Sequence, residues 1–342
     1  WHAHEMVFGY TAAVFAGFLL TAVRNWTGRE TWQGGRLAFL AVVWLLGRIL
    51  PFLSGGVPDG VITLIDLLFL PLLAVSLTGP LLADGKMRNL IVVPLLFLWG
   101  GGNLLFHLER MGVVEGGGGR GIAASLDLIV LMIVIIGGRV IPFFTERAIS
   151  GALPRRRPWL DRMAQGVLFL LFLVRLCSPE DLAVGVGGAV AALLLTVQLS
   201  GWHDRRIWSI PLLRVLYLGY GWIVVGLFLS LPVSLGWVER LAALHAITAG
   251  GIGTMTLGMM ARVSLGHTGR PLQPASRVTL AFTLINAAAL ARVLPLLLPA
   301  ANETLRLGGV TVGATLWCLA FLLFALEYTP ILLRPRADGK PG

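Results

Sequence analysis

The sequence predicts an all-α protein, a polytopic transmembrane helical bundle with about eleven spans. Three observations predict it. Only 13% of the 342 residues are charged, where a soluble domain has about 25%. Hydrophobic residues make up 56% and mean hydropathy is +0.83, more apolar surface than one water-soluble core buries, so the surplus faces lipid. The apolar residues also fall into runs of spanning length, separated by short linkers of Gly, Pro and charge.

A span needs roughly 20 mostly apolar residues. The first covers 4–23, and the loop behind it carries Arg24, Arg29 and Arg36. The second, 37–53, stops at the Gly/Pro-rich linker Leu53 to Gly60, which holds Asp59. The third, 61–77, is short and is followed by Lys86 and Arg88. The fourth, 90–108, leads into the longest soft linker, Met111 to Gly121, with four consecutive glycines at Gly116 to Gly119. The fifth, 122–141, is followed by Arg147, the run Arg155-Arg156-Arg157 and Arg162. The sixth, 160–176, is again short and ends near Arg175, Glu180 and Asp181. The seventh, 182–202, precedes Arg205, Arg206 and Arg214; the eighth, 211–231, precedes Glu239 and Arg240. The ninth, 240–261, precedes Arg262, Arg270 and Arg277; the tenth, 276–298, precedes Glu303 and Arg306. The eleventh, 309–333, leads to a tail with Arg334, Arg336 and Lys340.

Every odd-numbered loop is the basic one. Cytoplasmic loops collect Lys and Arg, so the C-terminus is expected in the cytoplasm and Trp1 on the outer side. The net charge of +10 is spread through these loops, and membrane topology explains it without a nucleic-acid partner. Residues 1–342 read as one transmembrane domain. A parent protein that starts inside has one more upstream helix, about twelve in all. Cys177 and Cys318 form no motif.

Depth follows from orientation. His2 and His4 sit at the outer end of the first span, His107 at the outer end of the fourth, and His245 one to two turns in from the outer end of the ninth. His203 and His267 fall on the inner side. Neutral imidazole is the usual protein ligand for haem iron and copper, and an ionisable group inside a span is functional by default. The candidate metal ligands are therefore His2, His4, His107 and His245. His2 and His4 share an ion in a non-helical segment and diverge in a helix.

Other ionisable groups share this outer layer. Arg48 and Arg292 are candidate partners for haem propionates. Glu5, Asp66, Asn103 and Asp127 are candidates to orient a ligand histidine or relay protons. The plainer expectation is mutual neutralisation in pairs of the type Arg48–Asp66 and Arg292–Asp127. Small residues on the first span (Gly9, Ala13, Ala16, Gly17) and the seventh (Gly185, Gly188, Ala192) read as close helix packing. Met255, Met259 and Met260 read as apolar filler, and Trp26, Trp32, Trp202, Trp208, Trp222 and Trp237 mostly as interfacial belts. Gly250-Gly251-Ile252-Gly253 follows no strand and is no nucleotide fingerprint.

Three stretches, in order along the chain, carry a resemblance. Trp1-His2-Ala3-His4-Glu5-Met6 with Ala16 to Val23 and Asn25-Trp26-Thr27-Gly28 resembles the opening of the NnrS family. Gly138-Arg139-Val140-Ile141-Pro142-Phe143-Phe144-Thr145 resembles a second stretch of that family, and His245 with Gly253 through Arg270 a third. The resemblance covers essentially the whole chain. It implies a bacterial inner-membrane protein of about twelve helices that contains haem and copper and is associated with denitrification, nitric oxide and nitrosative stress. His2, His4, His245 and His267 lie in the matching stretches and are candidate cofactor-binding residues with His107, Arg48 and Arg292. The expected partners are the lipid bilayer, nitric oxide or another small diatomic ligand, and a redox partner. The paired-histidine spacing of haem–copper oxidase subunits is absent, and no catalytic residue or reaction is assigned. The competing expectations are a membrane transporter for metal or haem and a non-catalytic accessory subunit of a reductase.

Overall fold

The computed structural model describes residues 1–85, 87–178, 182–298 and 302–339. Lys86, Glu180, Asp181 and Lys340 of the charge pattern lie outside the described residues. Eleven long helices and no strand occur among those described. They are α1 (His2–Thr27), α2 (Gly34–Leu53), α3 (Asp59–Asp84), α4 (Arg88–Arg110), α5 (Gly117–Ala148), α6 (Pro158–Cys177), α7 (Leu182–Trp202), α8 (Pro211–Ser234), α9 (Arg240–His267), α10 (Ser276–Leu297) and α11 (Glu303–Leu332). Each expected span has its helix, and the protein is a polytopic transmembrane protein. Lipid offers no partner to backbone N–H and C=O groups, so a helix, which satisfies them internally, is the form these runs take.

Ten of the eleven are long and apolar enough to cross a membrane. The exception is α6, which carries Asp161, Arg162 and Arg175 within its twenty residues. Two of these charges are engaged by other helices: Asp161 accepts from Gln198, and Arg175 Nε donates to Asp127 Oδ2 at 2.5 Å.

Two sequence expectations about lengths are corrected. The third span is not short: α3 continues past Leu77 through Pro80 to Asp84, where Gly85 closes it in the left-handed region (φ 69°). Proline is tolerated inside a transmembrane helix because neighbours re-satisfy the freed backbone. The run of four glycines is also not a free linker, because α5 begins at Gly117. The reason is packing. A Cβ on Gly117 would meet the Leu105 carbonyl oxygen at 2.8 Å, and one on Gly121 would collide with the Gly102 carbonyl. Glycine lets the first turns of α5 lie against α4.

The chain divides into two compact units. The first comprises Trp1–Met132 with Phe172–Pro179, and the second Ile133–Leu171 with Glu180–Gly342. In the first, α3 is the hub: α1, α2 and α4 all pack on it. The lipid-facing side of α2 is exposed at Phe39, Val42, Leu45 and Ile49. In the second, α7 packs on α8, α8 on α9, and α10 on α11. The small face of α7 does serve close packing: a Cβ at Gly188 would meet the Leu227 carbonyl oxygen at 2.8 Å, and one at Gly185 the Leu231 Cα at 3.1 Å. Trp202 departs from the interfacial reading. It is 1% exposed and packs edge-to-face on Tyr220 at 5.4 Å.

Two stretches of the helices widen into π turns, Glu5–Thr11 in α1 and Ala246–Ile252 in α9. Each follows directly on a histidine, His4 and His245. Wide turns of this kind gather at functional sites.

Candidate metal centre

Helix α3 places Thr63 and Asp66 on one face, three residues apart, and α4 places Asn103 and His107 on one face, four apart. Where these faces meet, α1 contributes His4 from its first turn and α2 contributes Arg48 near its end. His4, Asp66 and His107 converge there, all buried, with one donor atom of each within 4.8 Å of the others. Their side chains are 6%, 1% and 3% exposed, so the centre is closed to solvent.

Asp66 is the middle of the site. Its Oδ2 lies 2.8 Å from His107 Nε2, 3.2 Å from His4 Nε2, and accepts from Asn103 Nδ2 at 2.9 Å. Its Oδ1 accepts from Arg48 Nη2. The other Arg48 terminal nitrogen, Nη1, donates to Glu5 Oε2 at 2.7 Å, and Glu5 Oε1 faces His4 Nδ1 at 3.2 Å. The chain of contacts thus closes on itself: His4, Glu5, Arg48, Asp66 and back to His4.

Two glycines make room for it. A Cβ on Gly9 would lie 2.7 Å from Arg48 Nη1, and one on Gly47 would lie 3.0 Å from Asp66 Oδ1. Gly9, read from sequence as a general packing position, is therefore space for the arginine. Trp44 Nε1 donates to the Gly9 carbonyl at 3.0 Å and ties α2 to the wide turn of α1. Phe106 lies over the His4 ring at 4.4 Å between centroids, with Phe8 at 5.1 Å. Thr63 Oγ1 is 3.2 Å from His107 Nδ1.

Two carboxylates, Glu5 and Asp66, face one guanidinium, Arg48, which leaves one negative charge uncompensated in a buried place. Both His4 nitrogens face oxygen acceptors: Nδ1 faces Glu5 Oε1, and Nε2 faces Asn103 Oδ1 at 2.9 Å. A positive charge fits this position, as a second ring proton or as a metal ion. A metal held at about 2.0–2.2 Å by nitrogen and oxygen ligands keeps those ligands roughly 3.3 Å apart. The observed separations of 2.8 and 3.2 Å are close to that spacing. The residues fit an ion. They do not fit a porphyrin, because Phe8, Phe106, Asn103 and Thr63 fill the space around the two imidazoles.

The family model described as NnrS protein matches residues 1–336. The chain belongs to the NnrS family. Membership supports a membrane protein of the nitric oxide response. No curated protein matches the chain in a sequence comparison.

Seen in this NnrS chain, the sequence candidates separate. His4, His107, Asp66, Asn103, Arg48 and Glu5 come together. His2 does not join His4: residues 2–4 are helical, His2 is exposed, and two residues of helix turn its side chain away. The expected Arg48–Asp66 pair forms. For Asp127 the expected Arg292 pairing is corrected: its carboxylate is taken by Arg175 at 2.5 Å, supplied by the last turn of α6. His245, Arg292 and His267 lie in the second unit. There α9, which carries His245, packs on α10, which carries Arg292. His245 Nδ1 is 2.7 Å from the Leu241 carbonyl oxygen. His267 ends α9 and is exposed, and its carbonyl accepts from Arg336 Nη1 at 2.8 Å. His203 accepts from Trp208 Nε1 at 3.1 Å. Sequence reasoning missed Thr63, Phe106, Gly9 and Gly47 as parts of the centre. None of the four has a titratable side chain, and each matters through a neighbour that only folding supplies.

Proposed function

We propose that this protein holds copper at His4, Asp66 and His107 and haem on His245, and serves nitric oxide metabolism or nitrosative-stress tolerance in a bacterial inner membrane, in association with denitrification. The observation that carries the copper reading is the convergence of two imidazoles and one carboxylate in a closed pocket short of one positive charge. Imidazole suits copper, and a cuprous ion brings the single charge required. Helix α3 holds His107 through Thr63, α1 holds His4 through Glu5, and Arg48 steadies Asp66 between them. A closed site favours a resident ion over a transport station.

The haem reading rests on one geometric point beyond the resemblance. A ligand histidine donates its second ring N–H to a carbonyl or carboxylate, and His245 Nδ1 meets the Leu241 carbonyl in that way. The lone pair is then on Nε2. Arg292, on the helix packed against α9, is the proposed propionate partner. A bound haem supplies reversible binding of a diatomic gas. The basic odd-numbered loops support an orientation with the copper site towards the periplasm.

The test is metal analysis and an optical spectrum on one purified sample. Near-stoichiometric copper that is lost in His107→Ala while the Soret band stays, and a Soret band that shifts with nitric oxide and is lost in His245→Ala, are the expected results. A colourless, copper-poor protein from haem- and copper-supplied cells overturns the reading.

A further inference from the structure

The second and third family-like stretches meet in the second unit, at a place the metal reading does not use. Arg262 sits five residues before the end of α9, and Phe144 four residues before the end of α5. The Arg262 guanidinium carbon lies 3.5 Å from the centroid of the Phe144 ring. Next to it, Arg147 lies over Phe143 at 5.5 Å.

Arg262 is 9% exposed, yet among the described residues no carboxylate pairs with it and no oxygen accepts from it. The carboxylates of this unit near the same helix ends are committed elsewhere. Glu146 is bound by Arg156 at 2.7 Å and Asp338 by Arg336 at 2.6 Å. A buried cation without an acceptor is expensive and rare inside a membrane protein. The nitrogens of this cation are not walled in. Arg48 Nε and Arg306 Nε are sealed from solvent without a partner, whereas no Arg262 nitrogen is. Phe144 covers the guanidinium carbon, and the small part of Arg262 that stays exposed leaves the cation open to an acceptor.

We propose that Arg262 is the binding site of a small planar oxyanion, of the carboxylate, nitrite or nitrate class. A guanidinium edge presents paired N–H groups in one plane and matches two coplanar oxygens. Phe144 holds that plane by cation–π stacking. The site stands apart from the proposed haem ligand: seventeen residues of helix separate His245 from Arg262, about 25 Å of rise.

The experiment is thermal unfolding of the purified protein in detergent, followed by intrinsic tryptophan fluorescence. Sodium nitrate, nitrite and acetate are titrated against sodium chloride at equal ionic strength. Wild type is expected to show a saturable rise in midpoint with the planar anions. At a hundredfold excess over Kd, mass action multiplies the folded-to-unfolded ratio about a hundredfold. Arg262→Met is expected to lose the response, and in chloride to melt at or above the wild-type midpoint, since it removes a buried unpaired charge. If Arg262→Met does not fold, Phe144→Leu keeps the cation and is expected to shift the half-saturation to higher anion concentration. Equal responses in wild type and Arg262→Met, or no wild-type response to any of the three anions, overturns the proposal. So does a response only to nanodiscs containing phosphatidylglycerol, lost in Arg262→Met, which assigns the guanidinium to a lipid headgroup. Copper content is expected to be unchanged in every variant, so this outcome is separable from that of the copper site.

Discussion

His107 Nε2 lies 2.8 Å from Asp66 Oδ2, two buried groups brought together from facing helices of one unit. The same oxygen is 3.2 Å from His4 Nε2, which makes Asp66 the common neighbour of both histidines.

Replacing His4 or His107 by Ala is expected to lower copper retention by at least about tenfold, the loss that disturbing even an outer contact of a metal ligand produces. His2→Ala is expected to leave copper content at the wild-type level, because His2 is exposed and turned away from the pair. Metal analysis after exhaustive dialysis against a weak chelator decides it. Copper lost from His2→Ala and kept in His4→Ala reverses the assignment.

Arg48→Met removes the cation that contacts both Glu5 and Asp66. Two buried carboxylates are then left together, and breaking a buried pair in this way costs about 3–5 kcal/mol. The expected readout is a thermal midpoint well below wild type in copper-free protein, with part of the loss recovered on adding copper. A variant as stable as wild type without copper would show that the Arg48 contacts contribute nothing.

Gly9→Ala and Gly47→Ala place a methyl group against Arg48 Nη1 and Asp66 Oδ1. Crowding of this kind costs typically 1–3 kcal/mol. Copper affinity is expected to fall with stability, because the displaced atoms belong to the centre. Gly17→Ala, where the added carbon meets nothing within 4 Å, is the control and is expected to match wild type in both measurements.

Outside the membrane, Asp204 has its carboxyl held down to about 2, first by the Arg206 side-chain hydrogen bonds and then by the Arg206 backbone N–H. A depressed carboxyl contributes stability that is present above its unfolded value, about pH 4, and is lost as the pH falls through about 2. Acid titration of the thermal midpoint is expected to show a component between these limits in wild type that Asp204→Asn lacks. Superimposable titrations would remove Asp204 from the account.

Much was legible in the sequence. Hydropathy marked all eleven helices, since lipid tolerates no other backbone arrangement for such runs. Alternating loop charge, read with those spans, put His4 and His107 at one depth. Other features were not legible. The end of α3 was missed because proline breaks helices in water and not among neighbouring helices. The glycines at the start of α5 looked like a linker because their use, contact with Gly102 and Leu105, is a property of another helix. Asp127 was matched to Arg292 by depth alone, and α6 turned out to supply Arg175.

By itself, then, the sequence determined the class of the protein and the number of long helices, and it set an expected depth for each ionisable group, because each of these is read from local composition and the 1.5 Å rise of a helix. Which groups at one depth touch was decided only by tertiary structure. Depth is one coordinate, and it leaves helix neighbours and rotation open. Packing of α1, α2 and α4 on α3 set both, and with them made Asp66 the meeting point of two histidines and an arginine.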